Sequence, residues 1–94
     1  MDSANLTLVV KSIVTEQFSI MGPLAIEEAN KVAGLHLSTD LKSVEASGDS
    51  NQILTNLVHQ YEKLFGKASI EACRDSVKQI LPQLNARDLP QFLL

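Results

Sequence analysis

Aromatic residues are scarce in this chain: three phenylalanines, one tyrosine and no tryptophan in 94 residues. A core assembled from it must be aliphatic, and with few alternating β-branched runs the balance favours helix over sheet. Cysteine occurs once, at Cys73, which excludes a disulfide framework within one chain and fits a reducing compartment. No apolar run approaches the roughly 20 residues that span a bilayer. Basic stretches are also missing. Residues 1–47 carry three lysines against six carboxylates, which accounts for the whole net charge of −3, and residues 48–94 are balanced. Such a distribution leaves no footprint for a polyanion. Met1-Asp2-Ser3 lacks the basic start of a secretory signal. These absences predict a cytoplasmic protein, complete from Met1, with no membrane span and no nucleic-acid partner.

What is present is ordinary globular composition, 45% hydrophobic and 20% charged, in a length that makes one domain. Leu6, Val9, Val10, Ile13, Val14, Phe18 and Met21 recur at spacings of three and four, predicting a helix over 5–21 with Asp2, Ser3 or Asn5 as cap. Gly22-Pro23 stops that helix and starts another, because proline suits a first turn and not a helix interior. The second helix is expected over 23–33, with Glu27 pairing Lys31 one turn on and Gly34 as C-terminal cap. Residues 35–48 read as a short helix over 39–46 or as an irregular loop. Ser47-Gly48-Asp49-Ser50-Asn51 is the clearest break. A strong helix over 50–65 follows, stopped by Gly66, then one over 68–81 ended by Pro82. The tail, 82–94, can add a turn capped by Asp88. No repeat at a fixed period stands out. The expected fold is all-α, a compact bundle of four to five short helices.

Chemistry-bearing residues do not converge. His36 and His59 lie 23 residues apart without a carboxylate or thiol cluster at ligand spacing, so no metal site is expected. Cys73 falls in register with Ile70 and Val77 and reads as a buried structural thiol. Glu27 and Glu28 diverge by about 100° on a helix and read as partners of the helix dipole. Gly22, Gly34, Gly48 and Gly66 form no phosphate-cradling loop, and no serine sits in a nucleophile elbow. No catalytic residue and no cofactor are assigned, and the chain is not expected to be an enzyme.

Two apolar features point to binding. Leu24, Ala25, Ile26, Ala29, Val32 and Ala33 cover more than half of the second helix, as a central core helix or as a subunit interface, for which Pro23, Leu24, Ile26, Ala29, Val32 and Ala33 are the candidate residues. Leu89-Pro90-Gln91-Phe92-Leu93-Leu94 either folds back on the core or anchors in a partner groove.

The corner Ile20-Met21-Gly22-Pro23-Leu24-Ala25, followed by an amphipathic helix, resembles a small helical domain attached to bacterial Ser/Thr kinases and response regulators. In that family an Ile-Gly-Pro-X-Ala-like corner leads into an alanine-rich helix and a later leucine-rich helix pair. Gly22, Pro23 and Ala25 match the corner, with one extra residue before the glycine. Ile53–Tyr61 and Ile70–Leu81 match the later pair. The resemblance implies a regulatory or interaction role and transfers no catalytic residue.

Three functions follow as expectations. The first is a non-enzymatic helical protein-interaction module in bacterial signalling or regulation, binding a protein partner or itself as a homodimer. The second is a bundle enclosing a small apolar ligand or lipid. The third is a DNA-binding helix-turn-helix at Gly66, with Lys67, Arg74 and Lys78 on phosphates and Glu71 and Asp75 opposing them.

Overall fold

Asp2 caps the first helix: its carboxylate accepts from the Asn5 N–H at 2.8 Å. The computed structural model describes residues 2–84 and 89–94, and α1 within it spans Ser3–Met21. Val9, Val10, Ile13 and Val14, whose β-branching lowers helix propensity, are wholly buried. Their packing outweighs the propensity they cost.

Gly22 closes α1 at φ +66°, ψ −146°, its N–H donating to the Phe18 carbonyl at 2.8 Å. Pro23 then leads into α2, Leu24–Ala29. This helix stops short of the expected 33. After Ala29 the chain tightens into i→i−3 bonds, Lys31 to Glu28 and Val32 to Ala29. Asn30 meanwhile grips the next segment, accepting from the Leu37 N–H at 2.7 Å and donating to the Leu37 carbonyl at 3.1 Å. The early stop also changes the ion pair. Lys31 bonds Glu28 at 2.6 Å rather than Glu27.

Residues 35–48 form neither the short helix over 39–46 nor an irregular loop. Leu35–Leu37 (β1) and Val44–Ala46 (β2) pair antiparallel, with His36 opposite Glu45. The period is two: Leu35 and Leu37 are buried and His36 is exposed between them. The connecting loop closes on its own polar groups. The Ser38 hydroxyl donates to Asp40 at 2.7 Å and the Lys42 N–H donates to the same oxygen at 3.0 Å. These bonds, the Ser38 one first, hold the Asp40 carboxyl below its ordinary range.

Asp49 caps α3, Ser50–Phe65, accepting from the Gln52 N–H at 2.9 Å. Gly66 ends it and α4, Lys67–Ile80, begins at once. A 3-10 turn at Leu81–Gln83 carries Pro82. The proposed Asp88 cap lies outside the described residues. The tail folds back: Leu89, Pro90 and Leu93 are buried, and Arg74 Nε donates to the Phe92 carbonyl at 2.6 Å. The main body is therefore α-helical, as expected, with one small hairpin among the described residues.

The two corners are the same corner. Gly66 sits at φ +67°, ψ −151°, and its N–H donates to the Glu62 carbonyl at 2.7 Å. The next helix starts identically, Ala25 N–H to Gly22 carbonyl at 3.0 Å and Ser69 N–H to Gly66 carbonyl at 3.1 Å. Aligned on these glycines, 44 residues apart, Val9, Val10, Ile13 and Val14 match Ile53, Leu54, Leu57 and Val58, all buried. Ile26-Glu27 matches Ile70-Glu71 in the same frame. The halves also pack reciprocally. Gln17 Nε2 donates to the Ser69 carbonyl at 3.3 Å, and Tyr61 Oη donates to the Ala25 carbonyl at 2.7 Å. Positions 17 and 61 correspond, as do 25 and 69. A contact from i to j matched by one from j to i is the pattern of a two-fold pair, here within one chain. The repeat that periodicity alone did not reveal is thus present in the structure.

Candidate functional site

The reciprocal bonds fix where the corners go. Gln17 lies just before Gly22 and Ser69 just after Gly66, and Ser69 Oγ donates in turn to the Tyr61 carbonyl at 3.1 Å. Both corners therefore close the same end of the molecule. That end is apolar. Phe18 (38% exposed), Ile20 (53%) and Leu24 (37%) flank Gly22, while Leu64 (42%) and Phe65 (49%) precede Gly66. Ile20 and Leu64 occupy equivalent positions in the two halves. A helix that stops at a tight corner leaves its last turn without a neighbour on one side, so these side chains stay half in water.

The expected interface divides. Ile26 (4% exposed), Ala29 (0%) and Val32 (4%) are core residues. Their surface is used up against α1, α3 and the hairpin, so they are unavailable to a partner. Pro23, Leu24 and Ala33 remain exposed. Composition of a helix face does not say which of its sides the rest of the chain will cover. In the sequence Phe18, Leu64 and Phe65 read as members of the helix stripes and Ile20 as part of the Gly22-Pro23 corner, so none of the four reads as an exposed face. The signal that finds them is the 44-residue offset between Gly22 and Gly66.

The remaining polar residues stay dispersed. His36 is exposed on β1, and His59 is exposed on α3, 3.9 Å from Glu62. Among the described residues no group of three or more His, Cys, Asp and Glu could hold a metal ion. Cys73 is fully buried, with Gln17 Nε2 at 3.5 Å from its sulfur. Burial, opposed in part by that hydrogen bond, pushes its thiol up to about 11. A thiol held protonated is a poor nucleophile. Tyr61 is raised above its ordinary value as well, first by burial and then by the nearby Cys73 and Glu28 charges. Arg74, one of the three supposed phosphate contacts, is engaged with the tail. The groove between α1 and α4, lined by Lys11, Glu16 and Gln79 among others, holds about 350 Å³ and opens to solvent. Among the described residues no helix is long and apolar enough to cross a membrane.

Comparison with protein-family models, with curated proteins and with solved structures finds no match to this chain.

Proposed function

We propose that the chain is a non-enzymatic helical protein-interaction module that works in bacterial signalling or regulation and associates with itself. The observation that carries this reading is the apolar end around Gly22 and Gly66, where five large side chains are more than one-third exposed. Large apolar side chains left exposed together near one end of a small chain support a binding role, since the largest such patch on a protein is often functional. The signalling setting rests on the resemblance of the Gly22-Pro23 corner to a domain attached to kinases and response regulators. The cytoplasm is supported by the single buried cysteine, whose partnerless thiol suits a reducing compartment.

Light scattering after size exclusion, from micromolar to near-millimolar protein, tests the proposal. The mass should rise from the 10.3 kDa of one chain toward twice that value. A single-chain mass at every concentration would overturn self-association.

A further inference from the structure

The hairpin has two edges, and the chain closes one of them. Ser38 N–H donates to the Ser43 carbonyl at 2.9 Å, and Ser47 N–H donates to the Gly34 carbonyl at 2.9 Å. With His36 opposite Glu45, the hydrogen-bonded pairs of the ladder are therefore 34 with 47, 36 with 45 and 38 with 43. The main-chain polar groups of the residues between them point outward, those of Leu35 and Leu37 from β1 and those of Val44 and Ala46 from β2. On the β1 side these groups are engaged. Leu35 N–H donates to the Val32 carbonyl at 3.1 Å, and the Asn30 side chain holds both polar groups of Leu37. On the β2 side, among the described residues, the N–H and C=O groups of Val44 and Ala46 make no hydrogen bond. β2 packs against α1 and its two apolar side chains lie on the core, yet both residues remain partly exposed. Two donors and two acceptors thus stand in a row on an open edge, the two residues about 7 Å apart.

We infer that this edge is a second binding surface, which takes an extended segment of a partner protein as a third, antiparallel strand with a lysine or arginine at its centre. An extended backbone offers a donor and an acceptor at every second residue, so the edge itself defines the class of ligand. Antiparallel pairing is the more stable per residue. Glu45 defines the centre. Its exposed side chain stands between Val44 and Ala46 on the solvent face. The residue facing it in an added strand falls in the close, non-hydrogen-bonded position, with Cα atoms about 4.5 Å apart. A cation is favoured there and an acid opposed. The flanking residues lie on the same side as Val44 and Ala46 and should be apolar.

A second copy of this chain fits the edge poorly. The two-fold register that pairs Val44 with Ala46 in both directions sets Glu45 against Glu45, and like charges directly opposite destabilise a sheet. Shifting that register by two residues brings in Lys42, whose N–H already serves Asp40, or Gly48, whose φ of +123° lies outside the strand region. The edge is distinct from the apolar end around Gly22 and Gly66 and goes beyond self-association, so either reading can fail alone.

The probe is the peptide Ser-Thr-Val-Lys-Val-Thr-Ser with blocked ends, titrated into the full chain to millimolar concentration while its amide resonances are followed by NMR. The Val44 and Ala46 amides should shift downfield and saturate. Glutamate in place of the peptide's lysine should weaken binding by about two- to fivefold, and Glu45→Lys should reverse that preference. N-methylation of the two peptide valines removes the donors that face β2 and should abolish binding. N-methylation of the lysine, whose N–H points away, should leave it. Val44 and Ala46 amides that stay still at millimolar peptide, or a preference that Glu45→Lys leaves unchanged, overturn the inference. Shifts at these amides that track protein concentration without peptide also overturn it, because a second copy would then occupy the edge.

Discussion

Gln17 and Tyr61 hold the same post in the two halves of the chain, and only one of them is fully satisfied. Each donates to the first turn of the opposite half's second helix, Gln17 to Ser69 at 3.3 Å and Tyr61 to Ala25 at 2.7 Å. Tyr61 spends its one O–H there. Gln17 carries an acceptor as well, and its buried Oε1 has no hydrogen-bond partner among the described residues. An unpaired buried polar atom costs about 1–3 kcal/mol. Removing the two side-chain polar groups should therefore have opposite signs. Tyr61→Phe should cost about 1 kcal/mol, a lost buried hydrogen bond. Gln17→Met, similar in length and with no orphan acceptor, should be neutral or stabilise by up to about 1 kcal/mol. Urea unfolding of the two variants measures both, and equal destabilisation would contradict the asymmetry.

The equivalence of the corners predicts matched losses. An added Cβ meets nothing within 4 Å at Gly22 or Gly66, so the cost of alanine is conformational alone. At φ near +66° with ψ near −150°, a side chain is strained by about 1–3 kcal/mol. Gly22→Ala and Gly66→Ala should lower the melting temperature by similar amounts, about 4–8 °C per kcal/mol in a domain this size. Gly34→Ala should be worse than either. Its Cβ would drive into the Ser47 carbonyl, and φ is also positive there.

Alkaline pH should destabilise the fold through two buried groups. Cys73 rises from 9.0 to about 11 on folding, and Tyr61 rises above its ordinary 10.0. A folded-state pKa above the unfolded one means that folding favours the protonated form. The stabilisation is complete below the unfolded values and is lost as pH climbs from about 9 through 11 and beyond. Denaturant midpoints at pH 8, 9.5 and 10.5 should fall in that order. The chain has a single tyrosine, so its ultraviolet ionisation signal reads Tyr61 directly and should stay silent at pH 10 until the protein unfolds. Thiol labelling of Cys73 at pH 8 should follow unfolding rather than simple exposure.

Asn30 ties α2 to the hairpin by holding both polar groups of Leu37. Asn30→Ala removes a two-point contact and should cost about 1–2 kcal/mol. Asn30→Asp keeps the acceptor but sets a carboxylate against the Leu37 carbonyl, and should cost at least as much. Faster hydrogen exchange at the Leu37 amide would place the loss at the hairpin. Unchanged exchange in both variants would show that the hairpin is held by its apolar face instead.

Local signals wrote the helices into the sequence. The apolar stripe and a cap at Asp49 or Ser50 mark α3 over 50–65, where it is found with Asp49 as the cap, and Gly66 and Pro82 bracket α4 within one residue at each end. Capping and period are properties of neighbours in sequence, so they are legible there. Tertiary structure decided the rest. Leu35-His36-Leu37 becomes a strand by pairing with β2 and burying its two leucines in the core, beside α2. Six apolar residues on the second helix look alike in sequence, yet Ile26, Ala29 and Val32 are covered while Pro23, Leu24 and Ala33 are not. The same holds for the site. The amino acids that flank Gly22 and Gly66 are fixed by sequence, but their meeting at one end depends on the crossed bonds of Gln17 and Tyr61. Those bonds join residues 52 and 36 positions apart. Which long-range contacts form is set by the sum of all burial in the folded chain, which no local window contains.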